Sequence, residues 1–399
     1  MAQQRIGILT AGGIAPCLSA AVGCLIEGYG RLTPSAEILC YRNGYAGLLR
    51  GDSFTVTAAA VRSVGRLLAF GGSAIGNSRV KLTNGEDCRR RGLIGEGEDP
   101  QKVATERLSR DRISILHTIG GDDTSAVAAQ LAERLSAEGR PVAVVGLPKT
   151  IDNDIAPISL TLGAHTAAQE SSHFFSHIVN ECTSAPRMLI VHEVMGRHCG
   201  WLTAAAALHY RSGLDGREFL PAMGLDRRRW EIHGIYLPEM RWDMAAEIDR
   251  LQQVMESVGN VNLFVSEGAG VETIVSEMER EGLDVPRDAF GHVKLDRINP
   301  GKWFGEQLAV HIGAEKTLVQ KSGYFARSAP PNDQDLCLIR ESAELAIGEA
   351  LAGRSGVVGR DGERGDRLAL IAFGRIHGGK PYDPNCEEFR RLLAEIGQS

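Results

Sequence analysis

Val142-Ala143-Val144-Val145, followed closely by Pro148-Lys149-Thr150-Ile151-Asp152-Asn153-Asp154, is the most informative stretch of this 399-residue chain. An apolar run without alternation reads as a strand buried on both faces, as in a parallel sheet covered by helices. The polar residues begin where that strand stops. They pack a cation, a hydroxyl and two carboxylates into one short segment. A core has no use for such a cluster, and a surface turn rarely needs all of it.

Four further runs repeat the pattern. Arg5-Ile6-Gly7-Ile8-Leu9 precedes Thr10-Ala11-Gly12-Gly13, and Ile113-Ser114-Ile115-Leu116 precedes Ile119-Gly120-Gly121-Asp122-Asp123-Thr124. Met188-Leu189-Ile190-Val191 precedes Met195-Gly196-Arg197, and Val261-Asn262-Leu263-Phe264-Val265 precedes Ser266-Glu267-Gly268. Helical stretches rich in Ala, Leu and Glu, such as residues 125–137 and 244–258, lie between runs. Strand–helix alternation predicts a doubly wound α/β fold, with ligands beyond the carboxyl ends of the strands, where the polar motifs fall. Residues 221–238 read as a polar, Arg-rich connection. Residues 353–366 read as an exposed charged loop before a last strand, Leu368-Ala369-Leu370-Ile371.

The composition excludes several classes. The chain is 43% apolar and 24% charged, enough for two or three domains by length. A net charge of −6 leaves no whole-chain electrostatic footprint for nucleic acid. No apolar run reaches the roughly 18 residues that span a bilayer. Met1-Ala2-Gln3-Gln4-Arg5 enters the first strand directly, so no signal peptide is expected. The eight cysteines form no CxxC pair and are expected to be reduced thiols in a cytoplasmic protein.

Gly12-Gly13 can bring backbone N–H groups close to an anion, although a tight turn would use the same residues. Neither a G-x-G-x-x-G fingerprint nor a Walker A sequence is present. Gly120-Gly121-Asp122-Asp123-Thr124 opens an expected helix. It offers a phosphate cradle and an oxygen ligand for Mg²⁺, or simply a capped helix start. Phosphoryl transfer to an alcohol needs a base for the hydroxyl proton, a metal, and a cation for the phosphates. Residues 149–154 can supply the base and the cation. Other signals are weaker: His173 and His177 lack a third ligand, and His192-Glu193 followed by His198 is not H-E-x-x-H. Arg227-Arg228-Arg229-Trp230 reads as a solvated loop or helix start rather than a nucleic-acid contact, and Cys17 as a thiol of unknown reactivity.

Five ordered motifs together resemble the phosphofructokinase family: Gly12-Gly13, Gly-Gly-Asp-x-Thr at 120–124, Thr-Ile-Asp-Asn-Asp at 150–154, Met-Gly-Arg at 195–197 and Gly-Tyr-x-x-Arg at 323–327. The resemblance implies two Rossmann-like domains with mainly parallel sheets. Residues 1–160, completed by a segment near 320–375, would bind the phosphoryl donor, and residues 161–320 the sugar phosphate. It implies that Asp152 is the base for the C1 hydroxyl of fructose 6-phosphate, with Thr150, Ile151 and Asp154 beside it. Met195, Gly196, Arg197, Tyr324 and Arg327 would contact the sugar phosphate. Glu267 would bind sugar hydroxyls, with Glu239 a competitor, and Arg187 could reach a sugar phosphate across a subunit boundary. Asp122 would hold Mg²⁺, while Gly12, Gly13 and Arg79 would hold the donor phosphates.

Asp123 and Lys149 stand where ATP-dependent members typically carry glycine, which resembles the pyrophosphate-dependent branch. A carboxylate ~4 Å from the α-phosphate of ATP would repel it by roughly 4 kcal/mol at an effective dielectric near 20. Lys149 would offset charge on the leaving phosphate. The resemblance therefore implies Mg²⁺-dependent, reversible phosphoryl transfer from pyrophosphate to fructose 6-phosphate, in a cytoplasmic homo-oligomer (dimer or tetramer). An ATP-dependent enzyme and an inactive sugar-phosphate-binding partner are the alternatives.

Overall fold

The computed structural model describes residues 4–287 and 293–398. Met1, Ala2 and Gln3, on which the signal-peptide expectation partly rests, lie outside the described residues. The chain forms two compact units, Met1–Thr166 with Arg327–Lys380, and Ala167–Ala326 with Pro381–Ser399. The sequence reading had given no place to the last segment.

The first unit is built on seven strands: β1 (Arg5–Thr10), β2 (Glu37–Tyr41), β3 (Ser53–Thr55), β4 (Ile115–Gly120), β5 (Ala143–Pro148), β10 (Gly356–Asp361) and β11 (Arg367–Ile371). Their order is β11-β10-β5-β4-β1-β2-β3. The inner five run parallel, and β3 and β11 close the edges antiparallel. Leu9, Leu39, Leu116 and Val144 pack one face against Leu131 and Leu135 of the helix Asp122–Ala137. The helix Asp333–Leu351 packs on β5 and on the helix Leu18–Leu32, covering the other face. The sheet is thus doubly wound.

The second unit carries β6 (Met188–Val194), β7 (Gly234–Tyr236), β8 (Asn260–Ser266) and β9 (Lys316–Lys321), all parallel in the order β7-β8-β6-β9. Alternate residues point to opposite faces. Leu189, Val191, Leu263 and Val265 meet Leu251, Met255, Phe304 and Leu308 on one side. On the other, His192 stacks on Phe175 and meets Phe264 edge-on, with Tyr210 against both phenylalanines.

Two expectations need correction. Residues 353–366 are not all exposed loop, because Gly356–Asp361 is a nearly buried strand paired to β5. Its Asp361 reads as a surface residue in sequence, yet it is buried and held by two bonds from Arg375, at 2.5 and 2.9 Å. Residues 221–238 contain the buried strand β7. Of the arginines before it, Arg227 and Arg228 pair at the surface with Asp215 and Asp226, while Arg229 turns inward to the Cys182 carbonyl. Arg187 donates from Nε to the Gly313 carbonyl at 2.6 Å and from Nη2 to the Ile312 carbonyl at 2.9 Å.

One buried carboxylate orders the start of the helix Ala164–Ile178. Asp335 is fully buried and accepts from Gly163 N at 3.0 Å, Thr166 N at 2.7 Å and Thr166 Oγ1 at 2.5 Å. Burial pushes its carboxyl up, and those bonds work against the rise. Asp335→Ala leaves two buried N–H groups unpaired, each costing about 1–3 kcal/mol. Urea unfolding is expected to show a loss of about 2–6 kcal/mol, with Asp335→Asn, which keeps one acceptor oxygen, falling between.

Candidate functional site

In the first unit the loops after β1, β4 and β5 share the carboxyl edge of the sheet. A cavity of about 230 Å³ there is lined by Gly12, Gly13, Arg79, Lys81, Asp123 and Thr124, among others. Lys149 follows β5, is only 5% exposed, and donates from Nζ to the Gly13 carbonyl at 2.7 Å. Burial pushes its ammonium down to about 8. Arg79 acts in the same direction, while Asp152 and Asp154 oppose it. Cys17 itself is buried, and burial pushes its thiol far up, so it remains protonated and unreactive at neutral pH.

Asp122 and Asp123 open the helix Asp122–Ala137, as the sequence predicts. Asp123 pairs with Lys81 at 2.6 Å. The sequence reading missed Lys81, although it stands two residues after Arg79. The negative charge of Asp123 therefore does not act alone, which weakens the repulsion argued for it. Desolvation, and then the charges of Asp123 and Asp154, raise the Asp122 carboxyl. Gly378 also escaped the sequence reading: a Cβ there would overlap Asp122 Oδ2, so the backbone can approach only because the residue is glycine. The Gly378-Gly379 pair shortly after the last strand is the signal that could have found it. No group of three or more His, Cys, Asp or Glu converges among the described residues. Asp122, with the charge of Asp154 nearby, suits a hard divalent cation held largely by substrate oxygens and water.

The 150–154 turn divides its labour. Thr150 Oγ1 donates to Asp154 Oδ1 at 3.0 Å and accepts from Asp152 N at 3.2 Å. Asn153 is buried with φ 54°. Its Nδ2 donates to the Ser159 carbonyl at 2.8 Å, and its Oδ1 accepts from Thr161 N at 3.0 Å and Thr161 Oγ1 at 3.3 Å. Ile151 packs inward, so it can offer a ligand little but its backbone. Asn153 and Ile151 thus hold the turn, and Asp152, half-buried, is presented by it.

In the second unit, Gly196 has φ 132°, its carbonyl accepts from Ser266 Oγ at 2.6 Å, and its N–H reaches Glu267 Oε1 at 3.4 Å. A Cβ at Gly268 would overlap the Arg197 carbonyl oxygen, so the turns after β6 and β8 lie against each other. Burial raises the Glu267 carboxyl; the Gly196 N–H lowers it, Glu193 raises it, and Arg197 and Lys321 lower it. Glu239 is engaged differently. It accepts from Gly200 N at 2.9 Å and Tyr382 N at 2.8 Å. Arg197 and Glu239 line a cavity of about 780 Å³ with Arg241, Trp242 and Gly268, among others. Tyr324 is 75% exposed on the short helix Gly323–Arg327, where Arg327 follows three residues later.

Asn153→Ala removes the amide that closes the turn and forces a left-handed φ on alanine, which costs about 1–2 kcal/mol by itself. The expected outcome is a loss of about 2–4 kcal/mol in unfolding free energy. Amide exchange at Thr161 should be faster. Asn153→Gly, which tolerates the backbone but makes no bond, should recover only the backbone share of that loss.

A profile of the family described as Phosphofructokinase matches residues 5–347. A protein of Methylotuvimicrobium alcaliphilum named pyrophosphate–fructose 6-phosphate 1-phosphotransferase is 57% identical over 396 residues, covering 99% of this chain and 97% of that one. One of the same name from Propionibacterium freudenreichii is 54% identical over 395 residues, covering 99% and 98%. The solved structure of a pyrophosphate-dependent phosphofructokinase from Nitrosospira multiformis superposes with a TM-score of 0.72 at 19% identity. It covers 99% of this chain and 92% of that one, a likeness of fold. On the sequence match and the arrangement of its strands and turns, the chain belongs to the phosphofructokinase family.

Proposed function

We propose that this protein transfers a phosphoryl group from inorganic pyrophosphate to the C1 hydroxyl of D-fructose 6-phosphate. The products are fructose 1,6-bisphosphate and phosphate, and the reaction is reversible because no nucleotide leaving group makes it one-sided. The carrying observation is the small cavity beside buried Lys149. Its roughly 230 Å³ falls below the ~300–1,000 Å³ of pockets that take drug-sized ligands, and its walls suit a compact anion. The names of two relatives that are more than half identical in sequence support the same reading.

Asp152 accepts the proton of the C1 hydroxyl as that oxygen attacks phosphorus and the bond to the leaving phosphate breaks. Lys149 and Arg79 offset the charge on the leaving phosphate, with the Gly12 and Gly13 backbone around it. Asp122 would hold Mg²⁺, which when bound neutralises phosphate charge. On the acceptor side, Met195, Gly196, Arg197, Tyr324 and Arg327 take the sugar phosphate. Glu267 takes a sugar hydroxyl, because Glu239 is engaged with two backbone N–H groups. Asp123 is paired with Lys81, so any discrimination against an α-phosphate there would rest on the bulk of the pair as well as on charge. No helix among the described residues is long and apolar enough to cross a membrane. A cytoplasmic homodimer or homotetramer completes the proposal.

The test is turnover of fructose 6-phosphate with pyrophosphate and with ATP. Preference for pyrophosphate is expected, and preference for ATP would sink the reading. Asp152→Asn keeps the shape but cannot take the proton, so kcat should fall by about 10²–10⁴ with binding of both substrates retained. Near wild-type kcat would remove Asp152 from the role of base.

The ammonium of Lys149 supplies a second test. Its folded value of about 8 means that it is charged below that pH and neutral above it. The kcat/KM for pyrophosphate should therefore fall as pH rises through about 8. Lys149→Met should lower kcat by about 10²–10³ and abolish that alkaline limb. A limb that persists in the variant belongs to another group.

A further inference from the structure

Behind the acceptor residues lies a buried charge that the proposed chemistry does not use. Glu193 is 5% exposed and stands in β6, two residues before Met195. Its partner in the parallel register is Lys321, the last residue of β9. Glu193 Oε1 accepts from Lys321 Nζ at 2.7 Å, and Oε2 accepts from Gly301 N at 2.8 Å. Gly301 lies in the first turn of the helix Pro300–Ala309, whose N-cap residue Asn299 makes no side-chain capping bond. The strand carboxylate thus supplies the cap, with its charge at the positive end of the helix. A Cβ at position 301 would stand 2.6 Å from Oε2, so glycine is what admits the carboxylate.

The neighbouring residue does a matching job from the opposite face of the sheet. His192 is fully buried, and burial pushes it down to about 3, so it stays neutral. Its Nε2 lies 2.8 Å from Ser322 Oγ, which lies 3.3 Å from Ser171 Oγ. The Ser322 N–H also donates to the Glu193 carbonyl at 3.3 Å. Lys321 and Ser322, the two residues leading into the Gly323 turn, are therefore each fastened to β6, one by charge and one by hydrogen bonds. Gly323 comes next and packs on Met195, since a Cβ there would stand 2.7 Å from its Cε.

We propose that Glu193 is a positioning residue of the acceptor site, acting through Lys321 to hold the turn that presents Tyr324 in register with Met195-Gly196-Arg197. This rests on the reading of those residues as sugar-phosphate contacts. A buried ion pair is a poor source of stability, because desolvation offsets most of its attraction. A hydrophobic pair could join two strands as well. What the charged pair adds is a fixed place for one ammonium, 44% exposed, on the side of the sheet end where Glu267 feels its field. A small shift of that turn would move Tyr324 without opening the core.

The experiment compares Glu193→Gln, Lys321→Met and the double variant with two controls, Tyr324→Ala and Glu267→Gln. KM and kcat are measured for fructose 6-phosphate and pyrophosphate, together with the unfolding midpoint. Glutamine keeps the shape but cannot accept two charge-assisted bonds, so Glu193→Gln should raise KM for fructose 6-phosphate by about tenfold or more. KM for pyrophosphate should stay within about twofold. Lys321→Met, at a half-exposed position that tolerates the change, should reproduce the split, and the double variant should be no worse than the larger single. A lowered midpoint with both KM values unchanged or moved alike would overturn the proposal and leave Glu193 a structural residue. Additive effects would overturn it too. If the two controls leave KM for fructose 6-phosphate unchanged, the acceptor reading itself has failed and the proposal falls with it. If only the controls move, the acceptor reading stands and Glu193 is not its positioning residue.

Discussion

A lysine ammonium almost out of reach of water constrains the first unit more than any other group. Such a cation must be bonded and balanced or else give up its proton. The Gly13 carbonyl provides the bond, and in doing so ties the loop after β1 to the residue that follows β5. Asp152 and Asp154 provide balance, against the opposing effects of burial and Arg79. The strand ends are therefore not merely adjacent by topology. They are held at one spacing by a charge that each loop helps to keep.

The second unit solves a similar problem with the opposite sign. Its buried charge is a carboxylate, Glu193, near the end of its strand, and a neighbouring strand and a helix start supply the compensation. In both units a buried ion stands at or next to the carboxyl end of a parallel strand, and the turns of the proposed site start within a residue or two. The arrangement follows from geometry, since parallel strands deliver all their carboxyl ends to one edge.

That logic explains what the sequence could disclose. The five continuous apolar runs correspond to β1, β4, β5, β6 and β8, because residues buried on both faces leave no alternation to misread. The strand β4 extends past its apolar run because His117 is buried and satisfied, its Nε2 lying 2.7 Å from Tyr29 Oη. Asp361 hid β10 for the same reason: a paired buried carboxylate looks like solvent-facing charge when its arginine lies fourteen residues away. The edge strand β9, Lys-Thr-Leu-Val-Gln-Lys, is partly exposed and has neither a long apolar run nor a turn signal. Among the site residues, the carboxylates and glycines of the motifs were legible by type and position. Lys81 and Gly378 were not, because a salt bridge and a missing Cβ acquire meaning only once the distant partner is known.

The placement of β10 beside β5 has a consequence for the chain as it is made. The two strands are hydrogen-bonded neighbours, yet roughly 200 residues separate them, including most of the second unit. At about 5–20 residues per second on the ribosome, the open side of β5 waits for ~10–40 s before its partner emerges. An unpaired parallel edge is a template for foreign strands. Vectorial synthesis therefore leaves the nascent first unit with an unpaired edge during that interval, although the finished sheet exposes no such edge at β5.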